Sequence, residues 1–524
     1  MSTVKKYFKL RGINIGSDAL HYLESVVTDF TAGKKRTFIE EVASHLQKQS
    51  EISRNISRAE IEIAVKEFSL QDDVSGTEFF WVYDAFSIPQ LFYDVEKKHY
   101  LHAATLNKPP PLLHETADFR NFAFVERYEA LFQRMLRNPA FTRPSLDRTK
   151  GDGKFTLHLI EELLSSSIPI HNTVVLAMLS SLQEPGKYHL EDPTGAIQLE
   201  YNAETSFTGG LFTENIFILA EGWYDEKVFH ATGLGMPPAE TRSESDKLFG
   251  NFNFFGGSSQ VALRVSPKLK KLEDKYEDSM FVIMADVWLD RPEVLEKLEA
   301  VFRGLADSPP FCFILCGDFI SETENMNHAE LLKTGLKSLQ IILQRYPGIM
   351  QQSQLVFVPG PMDIGITGIL PRPRLPKNLT KDFEATIAKA IFTTNPCRIQ
   401  FCTREIVVMR EDILTKMCRT LIKEPIPDGR ESRFKNLTLN LAKTILSQGH
   451  LSPLPTHVLP VFWPYDHALR MPVLPDMVVV ADMQEPFIER SSDCLVASPS
   501  SFPRHKYQFH VYWPSQNTIE LSQI

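Results

Sequence analysis

Three aspartates stand where long apolar runs give way to turns: Asp286 in FVIMADVWLD (281–290), Asp318 in FCFILCGDF (311–319) and Asp363 in LVFVPGPMD (355–363). Apolar runs of this length, bounded by turn signals, are expected of parallel strands covered on both faces. If the strands are neighbours, their carboxylates gather at one edge of a sheet, where open α/β sheets bind ligands. Grouped carboxylates, helped by histidines, can hold paired divalent ions and activate water against a phosphate. Whether these turns carry the remaining ligands decides between an enzyme and a protein that has kept only the frame.

The elements that position these residues are legible. Between the second and third runs, residues 328–345 place Leu332, Leu336, Leu339 and Leu343 at helical spacing, with Leu331 and Ile342 beside them. That makes a β-α-β unit. Residues 263–524 read as one α/β domain built on it, with a helix and two returning strands in 383–412, helical material in 417–423 and 436–455, and strands at 478–482, 493–502 and 507–514. Extended structure after a β-α-β core predicts two sheets packed together. The six cysteines form no CxxC pair, so neither a zinc ribbon nor a redox motif is supported. Cys312 and Cys316 share one apolar run and read as core thiols.

Ahead of this domain the chain divides further. Residues 1–75 read as a small helical domain, with apolar stripes at Ala19, Leu20, Leu23, Val26, Val27 and Phe30, at Phe38, Ile39, Val42, Ala43 and Leu46, and at Ile61, Ala64, Val65 and Phe68. Residues 76–150 read as a linker and a helical segment. Arg120, Arg127 and Arg134 recur there at intervals of seven, with Arg137 beyond, and a solvated face is the simpler reading. Residues 151–236 hold short strands with turns at 184–187, 192–195 and 224–227 and no long helix between them, which suits an OB-fold β-barrel. Residues 237–262 read as a linker. Its LFGNFNFFGG lacks the GxxxxGK[ST] pattern of a phosphate loop and is expected to pack between domains.

Composition narrows the function classes. Hydrophobic residues make up 43% of 524 and charged residues 23%, as in soluble globular proteins. No apolar run approaches the roughly 18 residues of a transmembrane helix, and MSTVKKYFKL lacks the apolar core of a signal peptide. The expectation is no membrane and a cytosolic or nuclear location. A net charge of −9 argues against strong autonomous nucleic-acid binding, which draws its affinity from phosphate neutralisation.

The acidic turns resemble the calcineurin-like phosphoesterase framework, whose signature runs DxH, GDxxD, GNH[DE] and GHxH. Carried over residue by residue, Asp286 keeps the first carboxylate but Trp288 replaces the metal-binding histidine. Asp318 is kept while Ser321 replaces the second aspartate of its motif. In the third motif Asp363 is kept, Pro361 stands for the asparagine ligand and Met362 for the catalytic histidine. His450 remains of the fourth, with Ser452 replacing its second histidine. Tryptophan does not ligate a hard divalent ion, and Met362 cannot act as a general acid. Asp286, Trp288, Asp318, Met362, Asp363 and His450 are therefore read as vestigial positions, with no catalytic residue, no metal and no cofactor expected. The competing reading is a metal-dependent phosphoesterase with a non-standard ligand set at Asp286, Asp318 and His450.

A barrel followed by a degenerate phosphoesterase domain resembles the B subunits of the replicative DNA polymerases, the epsilon branch in particular. The carrying stretches are LEDPTG (190–195), LAEGW (219–223), NFNFFGG (251–257), FCFILCGDF (311–319), FVPGPMD (357–363), ILPRPRLP (369–376), FTTNPCRIQFCT (392–403) and KTILSQGHLSPLP (443–455). The expected fold class is multidomain α+β: a small N-terminal helical domain, an OB-fold and an inactive calcineurin-like two-sheet domain. The resemblance implies a nuclear, non-catalytic accessory subunit in DNA replication that binds the C-terminal zinc-binding region of the polymerase epsilon catalytic subunit. It also implies the small histone-fold subunits as partners in the same complex, the replicative helicase assembly as a contact of residues 1–75, and DNA contact that is indirect or weak.

Overall fold

The computed structural model describes residues 3–10, 13–28, 32–47, 56, 58, 61–62, 64–65, 78–94, 96, 99–103, 109–142, 155–181, 186–257, 259, 261–321, 327–365, 368–425 and 432–524. Phe30 and Phe68 of the predicted stripes, residues 184–185 of the first barrel turn, and residues 143–154 lie outside them. Among the described residues, no helix is long and apolar enough to cross a membrane.

Helices Thr3–Leu10, Ser17–Val26 and Ala32–Gln47 close on a core of their own. Leu23, Val27, Phe38, Val42 and Leu46 meet Ile61 and Val65 there, as the helical spacing predicts, and Phe8 of the first helix, which no predicted stripe included, joins them.

The barrel closes through five strands. Ile170–Ser180 pairs with Tyr188–Asp192, which pairs with Gly195–Glu200, then Val228–Gly235, then Phe217–Asp225, which returns to Ile170–Ser180. Val175, Ala177, Leu190, Ile197, Ile218, Ala220 and Phe229 alternate inward and fill it. The short helix Ile160–Leu164 plugs one end, its Ile160 N–H donating 2.9 Å to Asp192. Asp192 also accepts from the N–H groups of Thr194 and Gly195 and so folds the LEDPTG turn.

The large domain is two six-stranded sheets face to face. In the first, Ala390–Phe392, Gln354–Val358, Cys312–Cys316 and Phe281–Ala285 are parallel neighbours, followed by Gln508–Trp513 and Thr518–Gln523. The second runs Phe80–Asp84, Cys397–Phe401, Arg404–Arg410, Met477–Ala481, Cys494–Ser498 and Phe487–Ser491. Phe281, Ile283, Cys312, Ile314, Cys316, Val356 and Val358 of one meet Ile399, Phe401, Ile406, Val408, Val479 and Ala481 of the other. Cys312 and Cys316 thus lie in the core between the sheets, and burial pushes both thiols up, that of Cys316 to about 12. Helices Pro292–Gly304, His328–Leu343 and Lys377–Thr386 cover the outer face of the first sheet, and Ile413–Arg419 with Arg433–Gln448 cover the second.

Three expectations are corrected. Residues 80–84 are not connecting chain: Phe80–Asp84 is an edge strand of the second sheet, its Phe80 ring packing edge-on against Phe281 and Phe311. Part of the predicted 237–262 linker is the helix Arg242–Phe249, capped by Thr241 and Glu244 in the T-x-x-E spacing of a capping box. On the arginine-bearing helix Asp118–Arg137, Arg120 is exposed as a solvated face requires, but Arg127, Arg134 and Arg137 are turned inward. Arg127 pairs with buried Asp466, Arg134 donates to the Ser447 carbonyl, and Arg137 holds Glu240 through two bonds of 2.7 and 2.9 Å. Arg127, Arg134 and Arg137 thus mark a face that clamps this helix to its neighbours, because a guanidinium can enter a protein interior when its N–H groups find partners.

Candidate functional site

Each of the three aspartates follows its strand by one to five residues, and the parallel register brings the turns together. Asp286 follows Phe281–Ala285 with a left-handed φ of 55°. The Asp318 N–H donates 3.3 Å to Asp286 Oδ1, and Asp318 Oδ1 accepts 2.8 Å from the Met362 N–H. Asp363 accepts from the N–H groups of Phe319 (2.8 Å) and Gly360 (2.7 Å). These loops interlock so closely that a Cβ on Gly317 would stand 2.0 Å from Asp363 Oδ2, and one on Gly360 2.2 Å from Asp318 Oδ1. Only glycine fits either position.

The centre of this cluster is filled by Arg410, which ends the strand Arg404–Arg410 of the opposite sheet and is 1% exposed. Its Nη2 lies 2.7 Å from Asp286 Oδ1 and 3.7 Å from Asp318 Oδ2. Its Nε donates 2.7 Å to the Gly317 carbonyl, and its Nη1 donates to Asp412 (2.7 Å) and to the Ala481 carbonyl (3.2 Å). Asn395 fixes its backbone, accepting from the Arg410 N–H and donating to the Arg410 carbonyl. Arg372 also donates to that carbonyl and pairs with Glu411, which holds Lys416 at 2.7 Å.

The electrostatics follow from burial and this one cation. Burial opposes the charge of Arg410, but Asp286, Asp318 and Asp412 outweigh it and hold the guanidinium protonated well beyond its usual range. Burial pushes Asp318 up to about 7 against the pull of Arg410, and Asp363 up to about 6 against its two N–H donors. One cation does not neutralise three carboxylates, so protons supply part of the balance.

The other predicted positions make contacts of different kinds. The Trp288 N–H donates to the Asp286 carbonyl, and its ring lies under the Arg504 guanidinium at 5.3 Å. Ser321 accepts from Arg291 and donates to Asp290 at 2.6 Å. Met362 is 47% exposed. His450 does not join the aspartates: it sits beyond the helix Arg433–Gln448, 3.2 Å from Asp466, and accepts 3.0 Å from the Ser452 N–H. Burial, followed by the Arg127 charge, pushes it down to about 4, so it is neutral. The expectation that His450 stands with Asp286 and Asp318 is thereby corrected. His450 instead serves Asp466, which also receives Arg127 and Arg470.

The two ions that the phosphoesterase framework implies do not fit these residues. A guanidinium occupies the position between Asp286 and Asp318, and like charge excludes a divalent ion from it. Among the described residues, no group of three or more His, Cys, Asp or Glu is arranged to hold a metal. Asp286 and Asp318 stand with Arg410, and His450 stands with Asp466, so the three residues do not share one site. Sequence reasoning missed Arg410, although a buried strand ending in the charged triplet Arg410, Glu411 and Asp412 carries a signal: charge at the end of a core strand needs a partner.

The chain matches three family descriptions: the B subunit of DNA polymerase alpha/epsilon over residues 281–489, DNA polymerase epsilon subunit 2-like OB-fold domain over 117–238, and DNA polymerases epsilon N terminal over 1–68. It is 43% identical to DNA polymerase epsilon subunit 2 of Homo sapiens, covering 99% of this chain and 97% of that one. Identity to the Bos taurus protein of that name is also 43%, with the same coverage, and to the Drosophila melanogaster protein 34%, over 99% of this chain and 96% of that one. A solved archaeal phosphodiesterase aligns with 47% of this chain and 99% of its own at 12% identity and a TM-score of 0.25, a likeness that carries no argument. With relatives matched over 99% of this chain and the barrel and two-sheet domain in place, the chain belongs to the DNA polymerase epsilon subunit 2 family.

Proposed function

We propose that the chain scaffolds the catalytic subunit of DNA polymerase epsilon by receiving its C-terminal zinc-binding region on the body formed by the barrel and the two-sheet domain. As a member of its family it is an accessory, non-catalytic subunit of that polymerase, acting in DNA replication. The observation that carries the scaffold reading is the jointing of the two domains. Leu211 N–H donates 2.8 Å to Thr444, and Gln448 both accepts from the Phe217 N–H and donates to its carbonyl. With the Arg127, Asp466 and Arg470 cluster these bonds lock the barrel against the helix Arg433–Gln448, giving a partner one preformed surface.

On this reading the acidic turns serve the fold. Asp286, Trp288, Asp318, Met362, Asp363 and His450 neither bind metal nor catalyse, and Arg410 stands in for the lost ions. The work is nuclear, the small histone-fold subunits share the complex, residues 1–75 contact the replicative helicase assembly, and DNA is reached indirectly or weakly.

The test is recovery of the tagged full chain from nuclear extract at salt high enough to screen surface charge. Stoichiometric recovery of the catalytic subunit, lost when its C-terminal zinc-binding region is deleted, is expected. Equal recovery of the deleted and intact catalytic subunits would overturn the assignment of that region.

A further inference from the structure

A cavity of about 250 Å³ opens between the helix Asp118–Arg137, the hairpin of Leu91–Asp94 with His99–His102, and residues 449–472. Five arginines wall it: Arg127, Arg134, Arg137, Arg398 and Arg470. Carboxylates meet three of them: Asp466 at Arg127 and Arg470, Glu126 also at Arg470, and Glu240 at Arg137. Arg134 and Arg398 are met by carbonyls alone. Arg398 is 5% exposed and donates to those of Phe254, Phe255, Ala468 and Arg470. Arg134 is less deeply buried; its Nη2 donates to the Ser447 carbonyl, and its Nη1 makes no hydrogen bond among the described residues. Glu129 lines the cavity as well but pairs with neither arginine. His450 and His467 also line it, and burial pushes both down to about 4, so they are neutral.

A recessed guanidinium without a carboxylate is the natural partner of an incoming anion, since charge taken out of water is stabilised by pairing. The mouth of the cavity is apolar. Phe122 and Val125, one turn apart on the helix, are 43% and 38% exposed and line it together with Leu91 and Phe92 of the hairpin. A recessed cation behind an exposed apolar rim suits a protein segment, whose acidic side chain supplies the anion and whose apolar side chains cover the rim. A nucleic-acid strand is the poorer match, because three of the five arginines already have carboxylates and phosphate binding draws on several free cations. Length also fits a peptide. From Phe122 to Arg134, both of which line the cavity, the helix rises about 18 Å, the span of about five or six extended residues.

We propose that this groove docks an extended, acidic and apolar segment of a partner protein. An aspartate or glutamate carboxylate of the segment accepts from Arg134 Nη1, and its apolar side chains cover Phe122 and Val125. The carboxylate sets which segments enter, and the apolar contacts add affinity without selecting for charge.

The experiment is fluorescence polarisation of the purified full chain with two libraries of short labelled peptides. One has glutamate at the centre and leucine, phenylalanine or serine elsewhere; the other has glutamine at the centre. The glutamate library is expected to bind roughly tenfold to a hundredfold more tightly, as a hydrogen bond to a charged group allows. Arg134→Gln is expected to abolish that preference while leaving the glutamine library unchanged, a split that loss of fold does not produce. Val125→Ser, at an exposed position, is expected to weaken both libraries alike, about fivefold, through lost apolar contact. Equal binding of the two libraries, or silence of both at millimolar concentration, would overturn the proposal, as would a glutamate preference that Arg134→Gln leaves intact. A labelled single strand that binds the parent chain and is lost with Arg134→Gln, the peptides being silent, would assign the groove to nucleic acid instead. The catalytic subunit takes no part in this assay, so failure here leaves the docking of its zinc-binding region untouched.

Discussion

Replacing Arg410 by methionine tests the account of the acidic turns directly. The substitution keeps most of the side-chain volume, so the effect is electrostatic rather than a cavity. It removes the bonds to Asp286 and Asp412 and leaves the Gly317 and Ala481 carbonyls without the guanidinium. Taking one partner from a buried pair costs about 3–5 kcal/mol, since the abandoned charge remains. Protonation of Asp318 and Asp363, already pushed up to about 7 and about 6, offsets part of that, so the loss is smaller at pH 5 than at pH 8. The assay is urea unfolding followed by tryptophan fluorescence, since Trp288 adjoins Asp286. Asp286→Asn combined with Arg410→Met should lose less than the two single losses added, by roughly 0.5–3 kcal/mol of coupling. A loss within the roughly 0.5 kcal/mol typical of surface changes, or strict additivity, would refute the view that Arg410 is the counter-ion of this cluster.

Three further outcomes follow from the same geometry. Asp318 has a folded pKa raised above its unfolded value, so the native state holds the extra proton and the stability tied to it is lost as pH rises from about 4 through about 7; Asp318→Asn should therefore stabilise relative to the parent chain at pH 8 more than at pH 5, read by denaturant titration at both. Restoring Trp288→His and Met362→His together should yield no manganese binding by calorimetry while Arg410 is present, and binding in the double variant alone would contradict its exclusion of metal. Asp466→Asn strips the carboxylate from buried Arg127 and Arg470 and should cost about 3–5 kcal/mol, with faster proteolysis between the barrel and the two-sheet domain; unchanged cleavage would separate that cluster from the jointing of the two domains.

Periodicity and turn chemistry are local, and what they announce was legible: the three runs ending in Asp286, Asp318 and Asp363, the Leu332 to Leu343 stripe, the barrel strands and the Asp192 turn. The ligand losses were legible for the same reason, since a tryptophan at 288 or a methionine at 362 cannot coordinate whatever surrounds it. The placement of charge was not. Arg410 reaches Asp286 from another sheet, 124 residues away, and Arg127 reaches Asp466 across 339. His450 stands with Asp466 rather than Asp286 because the helix Arg433–Gln448 ends where the barrel joins the sheets, and no spacing in the chain encodes that. The residue types alone determined which ligands of the phosphoesterase motifs are missing; only the packing of two sheets and a barrel decided which cation stands among the three aspartates, because pairing of buried charge is settled by which elements meet in space.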